Sequence, residues 1–160
     1  MKYDKSILIQ KLIHHEGLVL QVYQDTLGID TIGIGRNLED RGITDKELEE
    51  IGITIDHVYE YGITEADAIL LAENDVQIVE SELLRAHPCV DGLDAVRQLV
   101  LIDMAFNMGV PRLCKFKKMW AAIHDEDFTT ASKEMLDSRW ANQVKSRSTK
   151  LAHAMYSGQM

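Results

Sequence analysis

Glu16-Gly17-Leu18-Val19-Leu20-Gln21-Val22-Tyr23-Gln24-Asp25-Thr26-Leu27-Gly28-Ile29-Asp30-Thr31-Ile32-Gly33-Ile34-Gly35 is the stretch whose reading decides the fold. Upstream, residues from about Asp4 to His15 read as a helix. Asp4 can cap it, and Ile7, Leu8 and Leu12, with the stem of Lys11, form one apolar face. Gly17 suits the turn that ends such a helix. Val19 to Tyr23 then alternates apolar and polar side chains, as a half-buried strand does. Asp25-Thr26 and Gly28 carry turn chemistry. Thr31-Ile32-Gly33-Ile34-Gly35 reads as a returning strand whose glycines let backbone or ligand approach closely. A small antiparallel sheet beside a helix is the expected result.

Downstream, Gly-Ile-Thr occurs at 42–44, 52–54 and 62–64. Helix punctuation explains it, with glycine ending one segment and threonine capping the next; repeat units of solenoids are longer, roughly 20 to 50 residues. The acids of this region, Glu39 to Glu60, are expected on a solvated surface. From Thr64 to about His87 apolar residues recur at helical spacing until Pro88. Asp91 or Gly92 opens a helix so apolar around its circumference (Val96, Leu99, Val100, Ile102, Met104, Phe106) that it predicts a core. Asn107 is its one polar residue that resists dismissal. Further helices are expected at about Pro111–His124, Phe128–Trp140 and Arg147–Tyr156. Trp120, Phe116, Met119 and Trp140 read as core. The class is α+β, mainly α.

Composition sets the bounds. The 160 residues are 46% hydrophobic and 27% charged, as in a soluble globular domain. No apolar run approaches the ~20 residues that span a bilayer, so membrane insertion is not expected. Met1 to Ser6 leads into a mixed helix without the apolar core of a secretory signal. The chain is therefore expected to stay in the cytoplasm unless something else releases it. Cys89 and Cys114 read as free thiols, with pairing left open.

Gly33-Ile34-Gly35 lacks the third glycine of a dinucleotide loop, and the histidines have no ligand spacing, so no metal or cofactor is expected. The net charge of −9 speaks against nucleic acid as a partner. Its distribution is uneven: all 26 acids lie at or before Asp137. Arg112, Lys115, Lys117 and Lys118 form one basic cluster, and Arg139, Lys145, Arg147 and Lys150 another. These are either solvated helix faces or a positive rim that steers an anionic polymer.

Two carboxylates facing across a cleft are the minimal apparatus for cleaving a glycosidic bond. Glu16 sits at a helix C-terminus, where the dipole and partial burial both disfavour the charged form, which suits a general acid. Asp25, in a polar turn, suits a base or an electrostatic stabiliser. Thr31 can help hold a water beside it.

The segment Glu16–Gly35 resembles the T-even-phage-type lysozymes, the phage endolysins. The match consists of Glu16-Gly17-Leu18, Leu20, Tyr23, Asp25-Thr26, Gly28 and Thr31 to Gly35. It continues in Leu93 to Arg97 with Met104, Phe106, Met108 and Gly109, and in Ser138-Arg139-Trp140 with Asn142-Gln143 and Arg147. The resemblance implies a two-lobed lysozyme-like fold, one catalytic domain over residues 1–160. Its sheet lobe would cover about 14–64, its helical lobe 1–13 with 88–160, and a connecting helix 64–87.

It further implies hydrolysis of the β-1,4 bond between N-acetylmuramic acid and N-acetylglucosamine in peptidoglycan, with inversion and without metal or cofactor. Glu16 would be the general acid, and Asp25 with Thr31 would position the water. Arg147 matches an arginine that pairs with the catalytic glutamate, a pairing that opposes the helix-end effect. Asn107, Leu38 and Arg147 are candidates for substrate contact. The family setting implies lysis of a host cell, its wall reached through a separate membrane-hole-forming protein; a monomer is the default expectation. The sequence departs from the family at Arg36, where the best-known members have histidine, and at His15, where they have an acid. A lytic transglycosylase and a catalytically silent peptidoglycan-binding domain are the alternatives.

Overall fold

The computed structural model describes all 160 residues. The chain divides into two compact units, Ile9–Asp75 and Met1–Leu8 with Val76–Met160. Helix α1 (Lys5–Glu16) ends as expected: Gly17 takes φ +83° and its N–H reaches Ile13 O at 2.9 Å. Its buried face is Leu8, Ile9 and Leu12, whereas Ile7 is 46% exposed. The apolar stripe is thus turned from the expected one, with Ile9 in place of Ile7.

In the first unit, β1 (Val19–Gln24), β2 (Asp30–Gly33) and β3 (Arg36–Asn37) form an antiparallel sheet in that order. Tyr23 pairs with Thr31 and Gln24 with Asp30, and a bulge between Val19 and Tyr23 shifts the register. The strand expected over Thr31–Gly35 stops at Gly33; Ile34 and Gly35 make the turn into β3. Helices α2 (Asp45–Ile51) and α3 (Ile55–Tyr61) follow the punctuation reading. Thr44 and Glu47 form a capping box, Gly52 ends α2 in the left-handed conformation, and Thr54 caps α3. Gly62 admits no side chain, because a Cβ there would stand 2.0 Å from Leu20 O. That close approach lets Ile63 N–H bond Leu20 O at 2.9 Å. Ile32, Val58, Ile63, Ala68 and Leu71 form the unit's core.

Helix α4 (Glu65–Ala86) carries the chain from one unit into the other, and a 3-10 turn at Pro88–Gly92 follows it. In the second unit, α5 (Ala95–Met108) is the buried helix, capped by Asp94 rather than by Asp91 or Gly92. The segments expected as single helices over 111–124 and 128–140 are each divided. The first gives α6 (Val110–Leu113) and α7 (Lys117–His124); the second gives α8 (Phe128–Leu136) and α9 (Arg139–Val144), before α10 (Ser146–Ser157). At the first break the Trp120 indole donates to Leu113 O at 2.9 Å and takes up a carbonyl that a continuous helix would have used. At the second, Ser138 Oγ accepts from Ala141 N and donates to Met135 O.

Trp140, Met119 and Trp120 are core residues, as read, whereas Phe116 is only half-buried. Helix α10 packs on α8 and α5, and α7 packs on α8. Cys89 and Cys114 are free thiols, both half-buried, and burial pushes both up in pKa. No helix is long and apolar enough to cross a membrane.

Candidate active site

The last residue of α1 and the sheet that follows assemble three of the sequence-derived site residues. Glu16 is half-buried, and its carboxylate lies over the turn between β2 and β3. A Cβ placed on Gly35 would stand 3.5 Å from Glu16 Oε2 and 3.7 Å from its Cβ. Gly35 also has φ +68°, so both conformation and clearance favour glycine there.

Asp25 closes the β1–β2 turn. Its Oδ1 accepts the N–H groups of Leu27 at 2.8 Å and Ile29 at 3.0 Å, and its own N–H donates to Ile29 O at 3.0 Å. Both side-chain bonds fall on Oδ1, which leaves Oδ2 as the oxygen without a protein donor. Thr31 is 5% exposed, and its hydroxyl donates to Ile29 O at 2.9 Å. With its hydrogen committed, that oxygen offers lone pairs to a further donor.

Tyr23 joins the three. It pairs directly with Thr31 across the ladder, so the two side chains share a face. Burial, then the charges of Glu16 and Asp25, raise its pKa, so both carboxylates act on this one phenol. Sequence reasoning used Tyr23 as the end of a strand and as part of the family match, not as a site residue. The available signal was its position two residues before Asp25 on a strand of period two.

Leu38 is half-buried, donates its N–H to Asp30 O at 2.8 Å and packs on the sheet unit's core. Asn107 and Arg147 belong to the helical unit. Asn107 Oδ1 accepts the Trp140 indole N–H at 2.8 Å. Arg147 is buried; its Nε donates to Asp103 Oδ1 at 2.9 Å, and a terminal nitrogen makes an ion-pair contact with the same oxygen at 2.8 Å. The expectation that Asn107 is the one significant polar residue of the core helix is therefore corrected. Asp103 is fully buried, and so is Gln98, whose amide donates to Val90 O and Asp91 O. The overlooked signal was a lone acid, Asp103, inside an apolar helix; Arg147 is among the sequence-derived candidates, but not as its partner.

The acidic run after Arg36 also needs correction. Glu47 is 4% exposed rather than solvated, and Arg36 is 2% exposed. The Arg36 guanidinium makes five hydrogen bonds: to Asp75, to Gly42 O, to both oxygens of Glu47 and to Leu71 O. Asp75 is shared with Arg41, and Glu47 with Asn74. Burial alone would lower the Arg36 pKa, but its bonds and charge pairing with Glu47 and Asp75 raise it.

In the helical unit Arg139 of the second basic cluster joins the first, with the acids Glu134 and Asp137 beside them. Arg112, Lys115, Lys117, Lys118 and Arg139 line one cavity of about 650 Å³ beside Phe116. No group of three or more His, Cys, Asp or Glu side chains is arranged to hold a metal ion.

The phage lysozyme family model matches residues 13–153. The chain is 31% identical to a probable T4-type lysozyme of Dictyostelium discoideum over 96% of its length and 95% of that protein's. A second such lysozyme from the same organism is 30% identical, with the same coverage. The pre-baseplate central spike protein Gp5 of Enterobacteria phage T4 is 31% identical over 96% of this chain, which spans 28% of that longer protein. A small antiparallel sheet within a mainly helical chain agrees with those matches: the chain belongs to the phage lysozyme family and is a glycoside hydrolase of the lysozyme type.

Proposed function

We propose that the enzyme hydrolyses the β-1,4 bond between N-acetylmuramic acid and N-acetylglucosamine in peptidoglycan. Glu16 gives its proton to the glycosidic oxygen, which leaves as the N-acetylglucosamine hydroxyl. Asp25 takes a proton from the attacking water, whose oxygen joins the anomeric carbon of the muramic acid. Thr31 helps hold that water by accepting a hydrogen bond. The observation that carries the reading is that one small sheet holds all three groups: Asp25 in its β1–β2 turn, Thr31 on β2 opposite Tyr23, and the Glu16 carboxylate over its β2–β3 turn at Gly35. Leu38, Asn107 and Arg147 are assigned a supporting part in substrate binding.

The same reading gives the enzyme a lytic role, acting as a monomer. It would be retained in the host cytoplasm until a separate membrane-hole-forming protein admits it to the wall. Hydrolysis is favoured over transglycosylation because Asp25 and Thr31 supply what a water needs and a transglycosylase does not.

Mass spectrometry of digested, purified peptidoglycan tests this. A reducing muramic-acid end with one water added is expected. Glu16→Gln should lower turnover by at least about a hundredfold while leaving the fold intact. A 1,6-anhydro product, or a Glu16→Gln enzyme that still clears peptidoglycan, would overturn the assignment.

A further inference from the structure

The segment Gly33–Asn37 touches two of the three residues assigned to the hydrolysis. On one side of Arg36, Gly35 lies under the Glu16 carboxylate. On the other, Asn37 pairs with Thr31 in the β2–β3 ladder. That ladder has only two pairs, Thr31 with Asn37 and Ile32 with Arg36. So short an edge has little stability of its own.

What holds it is the buried Arg36 guanidinium, which reaches three separate parts of the chain. It bonds Gly42 O beyond β3 at 3.0 Å and both Glu47 oxygens on α2 at 3.0 and 2.9 Å. On α4 it bonds Leu71 O at 2.8 Å and Asp75 at 2.9 Å. We propose that Arg36, clamped by Glu47 and Asp75, is a positioning residue for the hydrolysis: it fixes Gly35 against the Glu16 carboxylate and Asn37 beside Thr31. The inference rests on the roles assigned above to Glu16 and Thr31.

A planar guanidinium with fixed donors sets direction as well as distance, which an apolar contact does not. Buried ion pairs add little net stability over well-packed apolar groups, so geometry is their distinctive product. Displacement of reacting groups by a fraction of an ångström to one ångström is enough to depress turnover strongly.

The test compares Arg36→Lys, Glu47→Gln and their double variant with the parent on a soluble peptidoglycan fragment. Measurements are made at a temperature where circular dichroism reports each protein folded. Arg36→Lys keeps the charge and loses the fork. It should lower kcat about tenfold with KM changed less than about twofold. Glu47→Gln should lower kcat in the same direction by less. The double variant should lose less than the product of the two, because both act through one guanidinium.

A lowered melting temperature with parental kcat in both single variants would make the cluster purely structural and sink the inference. If Arg36→Lys does not fold, Glu47→Gln decides alone, since Arg36 then retains Asp75. Glu16→Gln, run alongside, separates the two failures. Retained activity there overturns the assignment of Glu16. Lost activity there, with parental kcat in the Arg36 and Glu47 variants, overturns only the positioning role.

Discussion

Glu47→Gln should destabilise the protein at neutral pH and hardly at all in strong acid. The Glu47 carboxylate accepts bonds from Arg36 at 3.0 and 2.9 Å, from Asn74 at 3.0 Å and from the Thr44 N–H at 3.0 Å. Burial pushes this carboxyl up. The hydrogen bonds from Arg36, Asn74 and Thr44, together with the Arg36 charge, outweigh burial and hold it at about 2 against an ordinary 4.5. A depression of that size corresponds to about 3 kcal/mol of preference for the charged form in the folded state.

The folded pKa lies below the unfolded one, so this stability is fully present above about pH 4.5 and is lost as pH falls toward about 2. Glutamine keeps the shape and one acceptor oxygen but gives up the charge, leaving Arg36 with the half-buried Asp75 as its only paired anion. A loss of about 2–3 kcal/mol at neutral pH is expected, which lowers the melting temperature by about 5–10 °C for a chain of this size. Thermal unfolding followed by circular dichroism over a pH series measures it. The gap between parent and variant should be constant above about pH 5 and narrow steadily below about pH 4. A gap that persists unchanged to about pH 2.5, or one of less than about 1 kcal/mol at neutral pH, would refute the reasoning.

Tyr23→Phe should leave the melting temperature nearly unchanged and lower kcat/KM about threefold to tenfold, the scale of one hydrogen bond, in the soluble-fragment assay. Asn107→Ala removes the acceptor of the Trp140 indole and should cost about 1–3 kcal/mol, read as a lower midpoint in denaturant unfolding with an unchanged slope. Lys117→Ala with Lys118→Ala should weaken sedimentation with intact cell-wall sacculi at low salt. That difference should disappear near 1 M salt, where charges are screened beyond about 3 Å.

The sheet unit's local plan was legible because its signals are local. Glu16 and Gly17 marked a helix end, Val19 to Tyr23 carried a period of two, and Thr44 to Glu47 wrote out a capping box. The stretch Glu16–Gly35 also contained the three residues now assigned to the hydrolysis. What escaped were pairings between distant segments. Glu47 sits in an acidic run that looks solvated until Arg36, eleven positions away, is seen to reach it. Asp103 looks like an isolated acid until Arg147, forty-four positions on, closes over it. The break after Leu113 has no glycine or proline to announce it. A tryptophan on the next turn of chain takes the carbonyl, which is tertiary structure overriding local propensity.

Each unit thus relies on one buried arginine to tie distant segments, Arg36 in the sheet unit and Arg147 in the helical one. Apolar packing already fills both interiors, and packing of that kind tolerates small slips between surfaces. A guanidinium does not, because each N–H must meet its acceptor along a fixed direction or be left buried without a partner. The need is greater in the sheet unit, where the segment to be held is a two-residue strand following a tight glycine turn. There the arginine lies in the same five-residue stretch as Gly35 and Asn37, the neighbours of Glu16 and Thr31. A loosened grip is therefore expected to show in the chemistry as well as in the melting temperature.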